Sequence, residues 1–260
     1  MTVSGLDYIP GLIAAYEAGF ATDHVHLGYW PEGSDLDWPS AQDAMTRLHV
    51  ALLDPQDGQA VVDIGCGLGS SLRLLDGMVQ GSSLIGVNID DRQLALCRRL
   101  TSQQGNAFHW VEADATATGL PAISFDRALS LEAMFHFPSR AAFFAEMQRI
   151  LRPGGLLVCS DILFGAPRND AEAAWLDLVT QGYAPWPDPV VDVARIKGLA
   201  FAAGLTLLDM KNITDATAPT WGHIVSSRDG PLASPQAAMK ALHLAGRLRY
   251  LVTVLQKPRG

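Results

Sequence analysis

Apolar positions in this chain gather into short unbroken runs separated by stretches of helical periodicity. The runs AVVDIG (60–65), SLIGVNI (83–89), FHWVEAD (108–114), FDRALSL (125–131) and LLVCSDI (156–162) are rich in β-formers. Near-continuous apolar strands alternating with helices predict βαβ units and a mostly parallel sheet covered on both faces. The clearest helix precedes the fifth run: Ser139 is placed to cap it, Phe143, Phe144, Met147, Ile150 and Leu151 share one face, and Pro153 with Gly154-Gly155 stops it. Beyond residue 162 the spacing predicts a helix over about 189–203, a strand in LTLLDMKNIT, and a last strand in YLVTVLQ (250–256). The stretch between those two strands, helical near 235–247, reads as an insertion. Aromatic and Pro-rich connections at 164–189 and 214–235 have the character of lids over a pocket. No repeat or linker divides the chain, so one domain over 1–260 is expected: a helical cap (1–45), a core (46–165), then lid elements and terminal strands (166–260).

Composition narrows the class. With 48% hydrophobic and 18% charged residues the chain is neither disordered nor a disulfide scaffold, and Cys66, Cys97 and Cys159 show no paired spacing. No apolar run reaches the ~18–20 residues that span a bilayer, and the start lacks a signal-peptide pattern, so a cytoplasmic protein without membrane contact is expected. The net charge of −8 is concentrated in the first 46 residues, which hold seven acidic side chains and no Lys or Arg. That balance offers no footprint for nucleic acid. The expected partner is a small-molecule acceptor, with the chain a monomer or homodimer.

The sharpest chemical signal is VVDIGCGLGSS: a buried strand, Asp63, then Gly65, Gly67 and Gly69 before a helix starting near Ser70. Glycines let the backbone turn and approach a ligand, and a helix N-terminus offers free N–H donors. The second strand ends in Gly86-Val87-Asn88-Ile89-Asp90, where a polar side chain can meet ribose hydroxyls and Ile89 an adenine face. The third ends in Glu112-Ala113-Asp114-Ala115, a carboxylate for an exocyclic amine beside a backbone N–H for a ring nitrogen. The fourth ends in Ser130-Leu131-Glu132. In such a sheet these loops open onto one crevice. A dinucleotide-dependent dehydrogenase is disfavoured, because the third glycine falls at 69 rather than 70 and none of the four lysines lies four residues after a tyrosine.

The set Asp63-x-Gly65-x-Gly67-x-Gly69, GVNID, EADAT, SFDRALSLEAMFHF and LRPGG resembles the class I S-adenosylmethionine-dependent methyltransferases over roughly 58–165. Together with His26-Leu27-Gly28-Tyr29-Trp30 it is similar to their small-molecule branch, which includes rebeccamycin-type sugar O-methyltransferases. The resemblance implies a Rossmann-like α/β fold with seven strands, the last antiparallel, and S-adenosyl-L-methionine as cofactor. It implies cofactor contacts at Gly65, Gly67, Asn88, Gln93, Asp114 and Ala115, with Asn88 standing where the family often has an acid. Asp63, Gly69, Ile89 and Glu132 complete the expected cofactor set, Glu132 having a second reading as a cap for the next segment. Tyr29 and Trp30 are expected to close over the cofactor, and Tyr183, Trp186, Trp221 and His223 to line the acceptor pocket.

A hydroxyl acceptor benefits from a general base, worth about 10²–10⁴ in rate. The resemblance maps this role to His136, oriented by Asp161, while His136 between Phe135 and Phe137 also reads as a packed core histidine. His24 and His26 alternate without further ligands at zinc spacing, so no metal is expected. The leading expectation is methyl transfer to oxygen of a secondary metabolite. C- or N-methylation, or a cyclase that retains the cofactor without methyl transfer, are the alternatives.

Overall fold

The computed structural model describes residues 8–19, 21–101, 105–226 and 228–259. Its strands are β1 (Ala60–Ile64), β2 (Ser83–Asn88), β3 (Ala107–Glu112), β4 (Phe125–Ser130), β5 (Leu151–Phe164), β6 (Thr206–Asn212) and β7 (Leu248–Gln256). The helices are α1 (Ile9–Glu17), α2 (Trp38–Leu53), α3 (Ser70–Asp76), α4 (Asp91–Leu100), α5 (Arg140–Ile150), α6 (Asp170–Gly182), α7 (Val193–Ala202), α8 (Thr214–Thr217), α9 (Thr220–Ile224) and α10 (Pro235–Leu244).

Among the described residues the strands form one sheet in the order β3-β2-β1-β4-β5-β7-β6. β1 to β5 run parallel, and β7 pairs antiparallel with both β5 and β6. The helical segment α8 to α10 between β6 and β7 is the expected insertion. It lets the last strand enter between two earlier ones.

Side-chain alternation along the strands divides the core into two layers. Val61, Leu84, Leu129, Val158 and Ile162 pack toward Met45 and Leu53 of α2, Leu72 of α3 and Leu242 of α10. Val62, Ile85, Ala128, Leu157 and Leu163 pack toward Phe143, Phe144 and Met147 of α5 and Ile196 of α7. At ~25 cal/mol per Å², each fully buried Leu, Phe or Met stabilises by about 2–3 kcal/mol, so both helical layers are held mainly by apolar burial.

Caps follow the sequence signals: Ser139 accepts from the Ala142 N–H at the start of α5, and Asp90 accepts from Arg92 and Gln93 at the start of α4. One boundary differs. α5 does stop ahead of Pro153-Gly154-Gly155, but already at Ile150, and Leu151 and the Pro-Gly-Gly segment lie within β5, where Gly154 N–H donates to Lys257 O at 2.8 Å and Lys257 N–H to Gly155 O at 3.0 Å. These long-range bonds extend the strand past the local signal.

The order of strands reverses between β1 and β4: the chain moves outward through β2 and β3, then returns to the other side of β1. A crevice forms beyond the carboxyl ends of strands at such a switch point.

Candidate active site

Two adjoining cavities occupy that crevice. The first lies over the glycine loop and is bounded by Asp63, Gly65, Asn88, Asp114, Glu132 and His136. The second has a volume of ≈ 450 Å³, within the ~300–1,000 Å³ usual for small-molecule sites, and its walls include Phe135, Ile162, Tyr183, Trp186 and Met239. Tyr8, Val25, His26 and Glu132 line both, so they form the passage between them.

The turn after β1 requires glycine for steric reasons. Gly65 has φ +76°, and a Cβ there would sit 2.5 Å from that of Ala133. Gly69 does not line the first cavity; at φ +79° it caps α3, and a Cβ there would lie 2.8 Å from the Trp110 ring. Its role is packing. Asp63 lines the first cavity at 2% exposure, and burial pushes its carboxyl up to about 7. Among the described residues no protein group donates a hydrogen bond to it. A buried carboxylate without a donor suits a cationic ligand group.

Ile89, Gln93 and Ala115 line the same cavity. Asn88 Nδ2 donates to Gln93 Oε1 at 2.9 Å, while its Oδ1 accepts from Ile89 N–H at 2.8 Å. This fixes the amide orientation and leaves Gln93 Nε2 available as a donor. Asp114 Oδ1 accepts from the Thr116 N–H and hydroxyl at 2.7 and 2.6 Å, and its second oxygen has no protein donor among the described residues. Asp90 is turned away, capping α4 and paired with Arg92.

Glu132 has a left-handed backbone at φ 52°, a sparsely populated region for a residue with a Cβ. Its carboxyl accepts from Leu27 N–H at 3.0 Å and Tyr250 O–H at 2.8 Å, and its N–H donates to Ser160 Oγ at 2.9 Å. Burial pushes this carboxyl up to about 8, against those hydrogen bonds.

His136 lines the first cavity beside Tyr8. Its Nδ1 lies 2.8 Å from the Pro185 carbonyl oxygen and its Nε2 3.2 Å from the Tyr8 hydroxyl. A carbonyl only accepts, so Nδ1 carries the proton and Nε2 presents a lone pair to Tyr8. Burial lowers its pKa to about 4, keeping the ring neutral near pH 7.

Besides that of Gly69, three further expected placements are not observed. Asp161 does not orient His136: it accepts a bidentate pair from Arg140, with Nε at 2.7 Å and Nη2 at 3.1 Å, and both side chains are almost fully buried. Alternation explains this, since Ile162 lines the second cavity and Ser160 on the same strand face accepts from Glu132 N–H, while Asp161 points to the opposite face, toward Arg140 of α5. Tyr29 and Trp30 line neither cavity. Tyr29 packs beside the core, and Trp30 stacks on His223 at 5.6 Å while donating its indole N–H to Leu36 O. Trp221 and His223 are likewise absent from the cavity walls, whereas Tyr183 and Trp186 line the second.

His26 Nδ1 donates to Leu27 O and Nε2 accepts from Thr46, whose oxygen in turn receives His24 Nδ1–H; both ring nitrogens of His26 and Nδ1 of His24 are thereby spent on hydrogen bonds. Sequence reasoning missed Tyr8 altogether. It is the N-cap residue of α1, ahead of Ile9 and Pro10, in a region without a motif, and only the tertiary fold brings it to His136.

Comparison with known proteins agrees with this geometry. Residues 62–159 match a family model described as a methyltransferase domain. Methyltransferase GfsG of Streptomyces halstedii is 32% identical over 213 residues, covering 80% of this chain and 75% of that one. O-methyltransferase cnsE of Penicillium expansum is 28% identical, covering 76% and 70% respectively. Among solved structures, geranyl diphosphate methyltransferase in complex with S-adenosylmethionine superposes with TM-score 0.74 at 17% identity, over 91% of this chain and all of that one, which shows the shared fold. On the strength of the GfsG match, the family model and the fold together, the chain belongs to the class I S-adenosylmethionine-dependent small-molecule methyltransferases.

Proposed function

We propose that this enzyme transfers a methyl group from S-adenosylmethionine to a hydroxyl oxygen of a largely apolar secondary metabolite, with His136 as the ultimate proton acceptor. The observation that carries this reading is a neutral His136 lining the glycine-lined cavity, its Nε2 lone pair turned to the hydroxyl of Tyr8, which lines both that cavity and the aromatic-walled one. Similarity to cnsE, an O-methyltransferase by name, supports oxygen as the target.

The bound cofactor supplies an activated methyl on a positively charged sulfur. The protein's part is mainly alignment, which contributes several kcal/mol when the reacting atoms are held in line. Asp63 is assigned to the cofactor's ammonium, Gly65 and Gly67 to close backbone approach, Asn88 and Gln93 to the ribose, Ile89 to the adenine face, and Asp114 with Ala115 to the adenine edge. Glu132 stands beside the sulfonium region and positions Leu27 and Tyr250. Phe135 stacks on Trp186 at 4.1 Å, giving the acceptor cavity a flat wall suited to an aromatic or polyene skeleton. That same wall favours a second reading, transfer to carbon, in which His136 removes a proton after the bond has formed.

The test is incubation with methyl-labelled S-adenosylmethionine and a panel of hydroxylated aromatic and polyketide acceptors. Label on oxygen supports the proposal, label on carbon or nitrogen supports the second reading, and conversion without label supports a cyclase.

A further inference from the structure

Four residues line both cavities, and an acceptor oxygen that meets the methyl carbon at this passage lies beside them. Val25 has no polar atom. His26 uses Nδ1 on Leu27 O and Nε2 on Thr46. Glu132 already accepts hydrogen bonds from the Leu27 N–H and the Tyr250 hydroxyl. Tyr8 remains. Its hydroxyl is 3.2 Å from His136 Nε2, its ring stacks on the imidazole at 6.0 Å and 26°, and Tyr183 meets it edge-on at 5.8 Å. His136 itself lines the cofactor cavity but not the acceptor cavity. The base that the sequence suggests is therefore one residue removed from the acceptor.

We propose that Tyr8 is a catalytic residue that relays the acceptor's proton to His136. As the new oxygen–carbon bond forms and the carbon–sulfur electron pair returns to sulfur, the acceptor O–H proton passes to Tyr8 Oη. Tyr8's own proton passes to His136 Nε2. Tyrosine ends as a neutral phenol, histidine as imidazolium, and the positive charge lost by sulfur reappears on His136. No free tyrosinate is required, so the aversion of a buried phenol to ionisation is no obstacle. Pro185 O holds the tautomer that makes Nε2 the receiver.

The proposal rests on the oxygen-transfer reading, and two phenols of one skeleton separate the two. 1-Naphthol keeps its proton near neutral pH, whereas 4-nitro-1-naphthol is already ionised and needs no base. With labelled S-adenosylmethionine, Tyr8→Phe and His136→Ala are each expected to slow transfer to 1-naphthol by about 10²-fold, with the double variant little slower than either. Transfer to the nitro compound stays within about threefold. Retained S-adenosylhomocysteine affinity and melting temperature show that the variants fold.

If His136→Ala slows 1-naphthol and Tyr8→Phe does not, the relay is overturned and the base stands. Equal losses by Tyr8→Phe on both phenols make Tyr8 merely structural and also overturn the relay. If neither variant slows 1-naphthol, the base reading falls, and the relay with it.

Discussion

Replacing Asp63 with Asn should move stability and cofactor affinity in opposite directions. The Asp63 carboxyl is buried, has no protein donor among the described residues, and is raised from 3.8 to about 7. Its folded pKa lies above the unfolded one, so the folded form holds more protons and the penalty for ionising grows as pH rises from about 4 to about 7. A shift of that size, at ~1.4 kcal/mol per unit, corresponds to at most about 4 kcal/mol against the unliganded fold at pH 8. The cofactor's ammonium offsets it. Removing one partner of a buried charge pair costs about 2–5 kcal/mol, or roughly 30- to 5,000-fold in Kd. Asp63→Asn should thus raise the melting temperature of the unliganded protein at pH 8, leave it nearly unchanged at pH 4, and weaken S-adenosylhomocysteine by about 10²-fold. Calorimetry in buffers of different ionisation enthalpy should detect proton release when the unmodified chain binds ligand near pH 7, and none in the variant. An affinity unchanged within threefold, or a variant less stable at pH 8, would refute the reasoning.

Gly65→Val should abolish S-adenosylhomocysteine binding, since a Cβ at φ +76° meets Ala133 at 2.5 Å; retained affinity by calorimetry would contradict the steric argument. Arg140→Met should destabilise by about 3–5 kcal/mol in urea unfolding by leaving Asp161 buried without its partner. Replacing Asp161 and Arg140 together, as Leu and Met, should recover much of that loss and retain turnover; a catalytic Asp161 would show instead as a folded but inactive double variant. Burial lowers His26 to about 3 and His49 to about 4, below their ordinary 6.5, so the unfolded chain takes up protons first. Their contribution is intact above about pH 6.5 and should be lost as pH falls toward 4. Across that window the melting temperature of the unmodified chain should fall relative to those of His26→Gln and His49→Gln variants; parallel curves would contradict it.

Most of the sheet was legible because its strands are buried on both faces and read as unbroken apolar runs, independent of their neighbours. The glycine loop, Asn88 and Asp114 were legible for a related reason: each ends a strand, and strand ends in this topology converge. Asp161 reads as the end of a strand in the sequence, but β5 continues to Phe164 and the face Asp161 serves is that of Arg140, a residue 21 positions earlier whose sequence signal is that of a helix start. Tyr29 and Trp30 stand close to the cleft in sequence order, yet their rings are claimed by His223 and the core. Tyr8 had no local signature, because its significance is a contact 128 positions away.

The measurement that bears most directly on the account is a crystal structure with S-adenosylhomocysteine bound. The sulfur should lie at the passage lined by Tyr8, Val25, His26 and Glu132 and face the aromatic cavity, with the amino group on Asp63 and the adenine at Asp114. A ligand seated in the crevice with its sulfur turned away from that passage would contradict it.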